Sequence, residues 1–450
     1  MGYWEITVLN KMKRIFLMFI TFLLAFLNKR LYTDLVCLNN QLINGSNLPN
    51  RKNKIISGNA KLVRNINRAV ILNLIRERQP ISRVNISKIT KLNKSTVSSI
   101  VSELLKNEYL VEELVADSNV GRNPLQLKLN VGRYHVGAVN FDTKIIRVAL
   151  VDIGGKVVAK DEYCPVNNSP EEYVSKALKC LNELKERLGI TDLEGIGVTI
   201  AGLIDPDTGY VIVAPNLGWK DVKLGGIFQK YETRTSVLRF ENDAEASALA
   251  ELWFGNGIIN NFSNFVFISV GAGLGTGIVI DRKVIEGVSY AAGEFGHMNI
   301  FEHGEKCVCG NTGCWEAYAS DRATVKRYLN RKKIRQDQSR QVLIKDVIQA
   351  AQNNDEVAIE VLQETGRYLG IGISNIIRAL DPPAIVIGGH ILQVWNIVYK
   401  EILVGLSKHS FFGLEKRVKI LPSSLSERPR LIGAATLALE RIFSDYKIII

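Results

Sequence analysis

Residues 307–316 read CVCGNTGCWE, which places three of the chain's six cysteines within eight positions and no proline or acidic residue between them. Two readings compete. A disulfide is one, but Cys307 and Cys309 are too close to bond each other comfortably, and a third thiol would be left over. A metal site is the other, and its fourth ligand is offered by His297, ten residues upstream in GEFGHM (293–298). The spacing His297-x9-Cys307-x-Cys309-x4-Cys314 supplies one imidazole and three thiolates, a set suited to tetrahedral zinc with no position open to water. Such a closed site is structural. It pins a loop, and it draws Glu294, three residues before His297, toward Glu316, two residues after Cys314.

Around this knot the chain runs to 450 residues with 46% apolar composition, long enough for several domains and far from the composition of a disordered protein. Its net charge of +12 is unevenly placed: residues 51–110 hold 13 Lys or Arg against 3 Glu and no Asp. One short module therefore carries the basic field expected of a nucleic-acid partner, while the remainder is near neutral. Cys37, Cys164 and Cys180 are scattered without a pairing pattern, which suits a reducing cytoplasmic setting. The apolar run IFLMFITFLLAFL (15–27) lies between Lys11, Lys13 and Arg14 on one side and Lys29 and Arg30 on the other. As a helix it would span about 20 Å, short of the ~30 Å hydrocarbon core, and AFLNKRLYT offers no small-x-small cleavage site. Residues 1–60 are read as an extension outside the functional fold, with a membrane tether as the alternative.

From Asn67 the pattern is helical up to Pro80. Ser82 then caps a second short helix through Lys91, with Ile86 and Ile89 facing inward, and Asn93 caps a third. That third helix, KSTVSSIVSELLKNEYL, keeps Val97, Ile100, Val101, Leu104 and Leu105 on one stripe. Lys94, Ser95, Thr96 and Ser99 are left to face a major groove, where a lysine and small polar side chains fit base edges and phosphates. LVEELVADSNVGRNPLQLKLN reads as two strands around a turn at Asp117 to Gly121, with Arg122 placed to reach DNA from the tip. Residues 61–130 are thus expected to form a winged helix-turn-helix, the alternative being a small helical bundle without a nucleic-acid role. Beyond it, residues 131–450 alternate strands and helices as an α/β domain does. HVGAVNF, KIIRVALVDI and KVVAKDEYC are read as strands, Pro170 to Leu188 as a helix, and a second cycle starts at FVFISVGAGLGTGIVI. Two such openings suggest a duplicated fold with a cleft between its halves.

GEFGHM and CVCGNTGCWE together resemble the motif of the family named for repressors, open reading frames and kinases (ROK). The likeness continues through AGLID (201–205), PNLGW (215–219), ENDAEASALAE (241–251), SVGAGLGTGIVI (269–280), LGIGISN (369–375) and LPSSL (421–425). The resemblance implies a two-lobed, actin-like and hexokinase-like (ribonuclease H-like) sugar-binding domain joined, as in the family's repressors, to a DNA-binding module. It implies that Asn242, Asp243, Glu294, His297 and Glu316 hold sugar hydroxyls, and that the protein is a homodimer or higher homo-oligomer on double-stranded operator DNA. The family's kinases use an aspartate at the position of Asp243 as general base, with two glycine-bearing phosphate loops. The second loop has its counterpart in GAGLGTG (271–277). At the first, where the kinases resemble DIGGT, this chain has NFDTK (140–144), so side chains fill the space in which backbone amides would meet phosphate. The expectation is therefore a non-enzymatic transcriptional repressor whose sugar domain is a sensor, closest in GCWEAYAS (313–320), LGIGISN and LPSSL to the xylose-responsive group. A sugar kinase carrying a DNA-binding domain is the alternative.

Overall fold

A computed structural model of the chain describes residues 60–114, 125–143, 145–232, 237–334, 342–425 and 429–444. The apolar run 15–27, the wing tip with Arg122, and nearly all of the expected extension lie outside these residues. No helix among the described residues is long and apolar enough to cross a membrane.

The first helix spans Ala60–Arg78, earlier than its pattern suggests, and buries Ile71, Leu72 and Ile75 while Val70 stays exposed. Ser82 caps the next helix, Arg83–Thr90, by accepting the Asn85 N–H at 3.2 Å. Ile86 is buried, but Ile89 is exposed, because the inward row continues from Ile86 to half-buried Thr90, four residues on, rather than three. Helix Lys94–Lys106 buries Val97, Ile100, Val101 and Leu104; Asn93 stands at its cap position without a side-chain capping bond. Strands Leu110–Glu113 and Gln126–Leu129 pair antiparallel, and Ile81–Ser82 joins them, giving the small sheet of a winged helix.

Two five-stranded sheets follow, built to one plan. In the first, strand His135–Phe141 pairs antiparallel with Ile146–Asp152, which pairs antiparallel with Val157–Tyr163. On its other side it runs parallel to Ile196–Ile200, which is parallel to Leu238–Asn242. In the second, Phe265–Val270 repeats the role, with Leu274–Ile280 and Lys283–Val284 antiparallel on one side and Ala384–Gly389 and Lys419–Pro422 parallel on the other. Parallel neighbours require crossovers, and helices Pro170–Leu188 and Glu356–Leu380 lie within them. The chain is thus the ribonuclease H-like, actin-like duplication preceded by a winged helix. The strand ends that point inward from both halves converge on one cleft.

The described residues form one compact unit. The winged helix does not stand on a core of its own: Ile71, Leu72 and Ile75 share a buried cluster with Val136, Ala138, Ala149 and Val151 of the first sheet and with Leu431, Ala435, Leu439 and Phe443 of the C-terminal helix, Pro429–Ser444. The second sheet keeps a separate core around Val266, Ile268, Trp315, Ile373 and Ile387.

Candidate functional site

The cleft holds a cavity of about 330 Å³ lined by residues of both halves, among them Asn242, Asp243, Glu294, His297 and Glu316. Strand Leu238–Asn242 ends at Asn242, whose Oδ1 caps the next helix by accepting the Ala244 N–H at 2.8 Å and whose Nδ2 donates to the Gly202 carbonyl at 3.0 Å. Asp243 opens helix Asp243–Phe254, where the helix N-terminus favours a carboxylate. Burial raises the Asp243 carboxyl above its usual range, and Arg430, whose Nε lies 3.1 Å from Oδ2, offsets part of that. Glu294 stands 3.8 Å from His297 Nε2, and burial raises its carboxyl too. Glu316 is tied inward, since one oxygen accepts the Leu274 N–H at 2.9 Å and the other the Cys307 thiol at 3.6 Å. It braces the glycine turn while it lines the cavity.

Beside the cavity, the ligand atoms of His297, Cys307, Cys309 and Cys314 all lie within 4.8 Å of one another, and none of these cysteines is in a disulfide. Cys309 Sγ and Cys314 Sγ are 3.7 Å apart, and Cys307 Sγ is 3.7 Å from His297 Nδ1. Tetrahedral ligands at zinc–sulfur distances would sit roughly 3.8 Å apart, so the four fit a metal ion. Burial pushes the Cys307 thiol up to about 12 and raises Cys314, and a cation among them would favour the thiolates. The loop is shaped for this set: Cys307 N–H bonds the Asn311 carbonyl at 2.8 Å, and Gly313 takes φ 74° where an added Cβ would lie 1.7 Å from the Phe301 carbonyl oxygen. With Nδ1 toward Cys307 and Nε2 toward Glu294, the single His297 ring belongs to both the knuckle and the cavity.

At the position of the first phosphate loop, Asn140 is buried and donates to Thr199 Oγ1 at 3.1 Å, and Asp142 fills the turn. Asp142 lies 3.1 Å from Arg147 Nη1 and 3.9 Å from Arg430 Nη1. Burial works against its charge, yet the cations and the Thr143 N–H outweigh burial and hold its carboxyl below the ordinary value. The second glycine stretch is a tight hairpin between Phe265–Val270 and Leu274–Ile280, with Gly271 N–H bonded to the Gly273 carbonyl at 2.9 Å. Arg430, which the sequence reading passes over, covers this turn: its Nη2 and Nε donate to Ser269 Oγ at 3.0 and 3.3 Å, and a Cβ at Gly271 would meet Nη2 at 2.4 Å. LPSSL likewise has a local explanation, because Ser423 and Ser424 hydrogen-bond the buried carboxylate of Glu251.

On the winged helix, Lys94, Ser95 and Ser99 are exposed and Thr96 is half-buried. Ser99 Oγ accepts from the Arg64 guanidinium at 3.3 Å, and Arg64 also pairs with Glu103 at 2.6 Å. Arg64 therefore joins this polar face, a contribution from the first helix that a reading of the third helix alone misses.

A basic winged helix on a duplicated sugar-kinase-type fold, with an occluded first phosphate loop and a Cys3His knuckle at the cleft, defines a class of transcriptional regulator. The ROK family model matches residues 136–441, and the chain belongs to the ROK family. It is 32% identical to the xylose repressor of Bacillus spizizenii over 387 residues, covering 86% of this chain and 98% of that protein. It is 29% identical to the N-acetylglucosamine repressor of Escherichia coli over 390 residues, 84% of this chain and 94% of that one. Among solved structures, a ROK family transcriptional regulator described as a homologue of the E. coli Mlc protein aligns with TM-score 0.72 at 28% identity, covering 86% of this chain and 99% of its own. A ROK glucokinase from Streptomyces griseus, solved with glucose and AMPPNP, aligns with TM-score 0.61 at 28% identity over 68% of this chain and 99% of its own.

Proposed function

We propose that this protein is a sugar-responsive transcriptional repressor that leaves its operator when an aldose, xylose or a relative of it, enters the cleft. The observation that carries the reading is the gathering of three carboxylates, Asp243, Glu294 and Glu316, and a histidine around a sugar-sized cavity with a first phosphate loop already filled by Asp142 between two guanidinium groups. Polyhydroxylated ligands need several fixed acceptors, and each carboxylate takes up to two hydroxyl donors. Asp243 and Glu294 supply most of these acceptors and Glu316 its spare lone pairs, while Asn242 donates its remaining amide N–H and His297 its Nε2–H. The knuckle ion is zinc, held by His297, Cys307, Cys309 and Cys314. It is structural, orienting His297 and holding the loop from which Glu316 follows.

Residues 61–130 bind double-stranded DNA through Lys94, Ser95, Thr96 and Ser99 in the major groove and Arg122 from the wing, and residues 131–450 sense the sugar, with residues 1–60 outside both. A single recognition helix reads only a few base pairs, so the working form is a cytoplasmic homodimer on a pseudo-palindromic site. The repressor relatives at 29–32% identity over most of the chain support the regulator over the kinase reading. The test is a thermal-shift screen of D-xylose, D-glucose and N-acetylglucosamine, followed by operator titration with and without each sugar that binds. A sugar that raises the melting temperature and weakens operator binding is the expected result; stabilisation by sugar with no change in DNA affinity would sink the proposal.

A further inference from the structure

Two helices start at the cavity and end under the winged helix. Asp243–Phe254 opens with Asp243, and Pro429–Ser444 carries Arg430 in its first turn. They pack along their length so closely that a Cβ at Gly433 would lie 2.4 Å from the Ala246 carbonyl oxygen. Their N-terminal ends are joined by the Asp243–Arg430 pair at 3.1 Å. Their C-terminal ends are joined through Arg76 of the winged helix, whose guanidinium lies 4.1 Å from the Trp253 ring centroid and 5.6 Å from that of Phe443, and whose Nη1 donates to the Trp253 carbonyl at 2.9 Å. Asn73 Nδ2 adds a bond to the Phe443 carbonyl at 3.0 Å.

We propose that Arg430 is the residue that reads the sugar: ligand hydroxyls compete with it for Asp243, and its release lets the two helices shift and carries the change to the first helix of the winged module. This deepens the sugar-sensing reading and rests on it. Three features favour Arg430 over other residues near the cleft. It borders both the sugar cavity and a second cavity of about 280 Å³ beyond the glycine turn, so it forms the partition between them. It is a cation in the first turn of a helix, where the macrodipole disfavours positive charge, so its place depends on Asp243, Asp142 and Asp321 around it. Removing one of three partners weakens its hold without leaving it bare. At the far end, Arg76 holds both helix ends at once through the Trp253 carbonyl and the Trp253 and Phe443 rings, so a shift of either helix is felt by the winged module's first helix. A helix of 16 residues spans about 24 Å and, packed at this density, moves as a unit.

The experiment uses the full chain and Arg430→Gln and Arg430→Lys variants. D-xylose, D-glucose and N-acetylglucosamine binding is measured by calorimetry, operator affinity on a duplex selected by the wild-type protein, and amide hydrogen exchange in residues 60–78. In the wild type, the sugar that binds should raise exchange in 71–78. Arg430→Gln should show that raised exchange, and the operator affinity of sugar-saturated wild type, without sugar, while still binding the sugar. Arg430→Lys, which keeps the charge but not the fork, should release DNA at several-fold lower sugar concentration, and it carries the test if the Gln variant does not fold. Exchange and release curves for either folded variant that match wild type, with sugar still releasing the wild type, overturn the role of Arg430 and leave the sensing reading intact. Failure of all three sugars to bind wild type overturns both.

Discussion

Glu294 is the cavity carboxylate least committed to the protein: it stands 3.8 Å from His297 Nε2, whereas Asp142 pairs with Arg147, Glu316 accepts a backbone N–H and Asp243 pairs with Arg430. Glu294→Ala should therefore weaken sugar binding by roughly 10-fold or more, the range for a lost hydrogen bond to a charged group. Operator affinity should stay within about twofold of wild type. Calorimetry and operator titration check both, and lost operator binding with intact sugar affinity would move Glu294 from the ligand to the fold. A second residue carries a pH signature. Burial pushes the Glu440 carboxyl up to about 7 from its ordinary 4.5, with Arg239 offsetting part of it. The folded state then holds a proton that the unfolded state has released, so this group's contribution to stability falls as pH rises from about 4.5 to 7. Glu440→Gln should raise stability by about 1–2 kcal/mol at pH 8 and change little near pH 4.5; denaturant melts at the two pH values measure the difference.

The knuckle and the third helix are short elements with separable duties. Trp315, next to Cys314, is fully buried and donates its indole N–H to the Tyr368 carbonyl at 2.8 Å, which ties the cysteine loop to helix Glu356–Leu380. Cys309→Ser should cut bound zinc from about one per chain to well below half, lower the melting temperature by roughly 3–6 °C and flatten the sugar response. Metal analysis of freshly reduced protein gives the first number, and a substoichiometric wild type would refute the zinc assignment. On helix Lys94–Lys106, Lys94 is exposed at the N-terminal end, away from the stripe formed by Val97, Ile100, Val101 and Leu104. Lys94→Ala should weaken binding to all DNA sequences alike and reduce the slope of log affinity against log salt by about one. An unchanged slope would take Lys94 off the phosphate backbone.

At the scale of the molecule, two lobes of one plan enclose the cleft, and the first lobe shares its core with the winged helix. A repressor needs that continuity, because a sugar can release DNA only through an arrangement that binds the two ligands unequally. A kinase needs an open channel for phosphates, and here Asp142 and Arg430 pair across the space between the two glycine-loop positions. The protein should show no sugar-dependent ADP production above background with D-glucose or D-xylose, and no stabilisation by Mg-ATP where sugar stabilises. Robust turnover, lost in Asp243→Ala, would restore the kinase reading.

The sequence by itself determined what depends on neighbours close along the chain. The Cys3His spacing, the capping serine at Ser82, the helix Pro170–Leu188 and the strand openings of both halves are all set by residues within one or two elements, where periodicity and spacing carry the physics. The tertiary structure alone decided which distant groups meet. Arg430 looks like a surface charge on an amphipathic helix until the fold carries it to Asp243, Asp142 and Ser269, because ion pairs between remote segments leave no local pattern. For the same reason Ser99 faces Arg64, Glu316 turns toward Leu274, and the basic module that reads as independent shares a core with the sugar lobe, its apolar stripe being indifferent to which partner covers it.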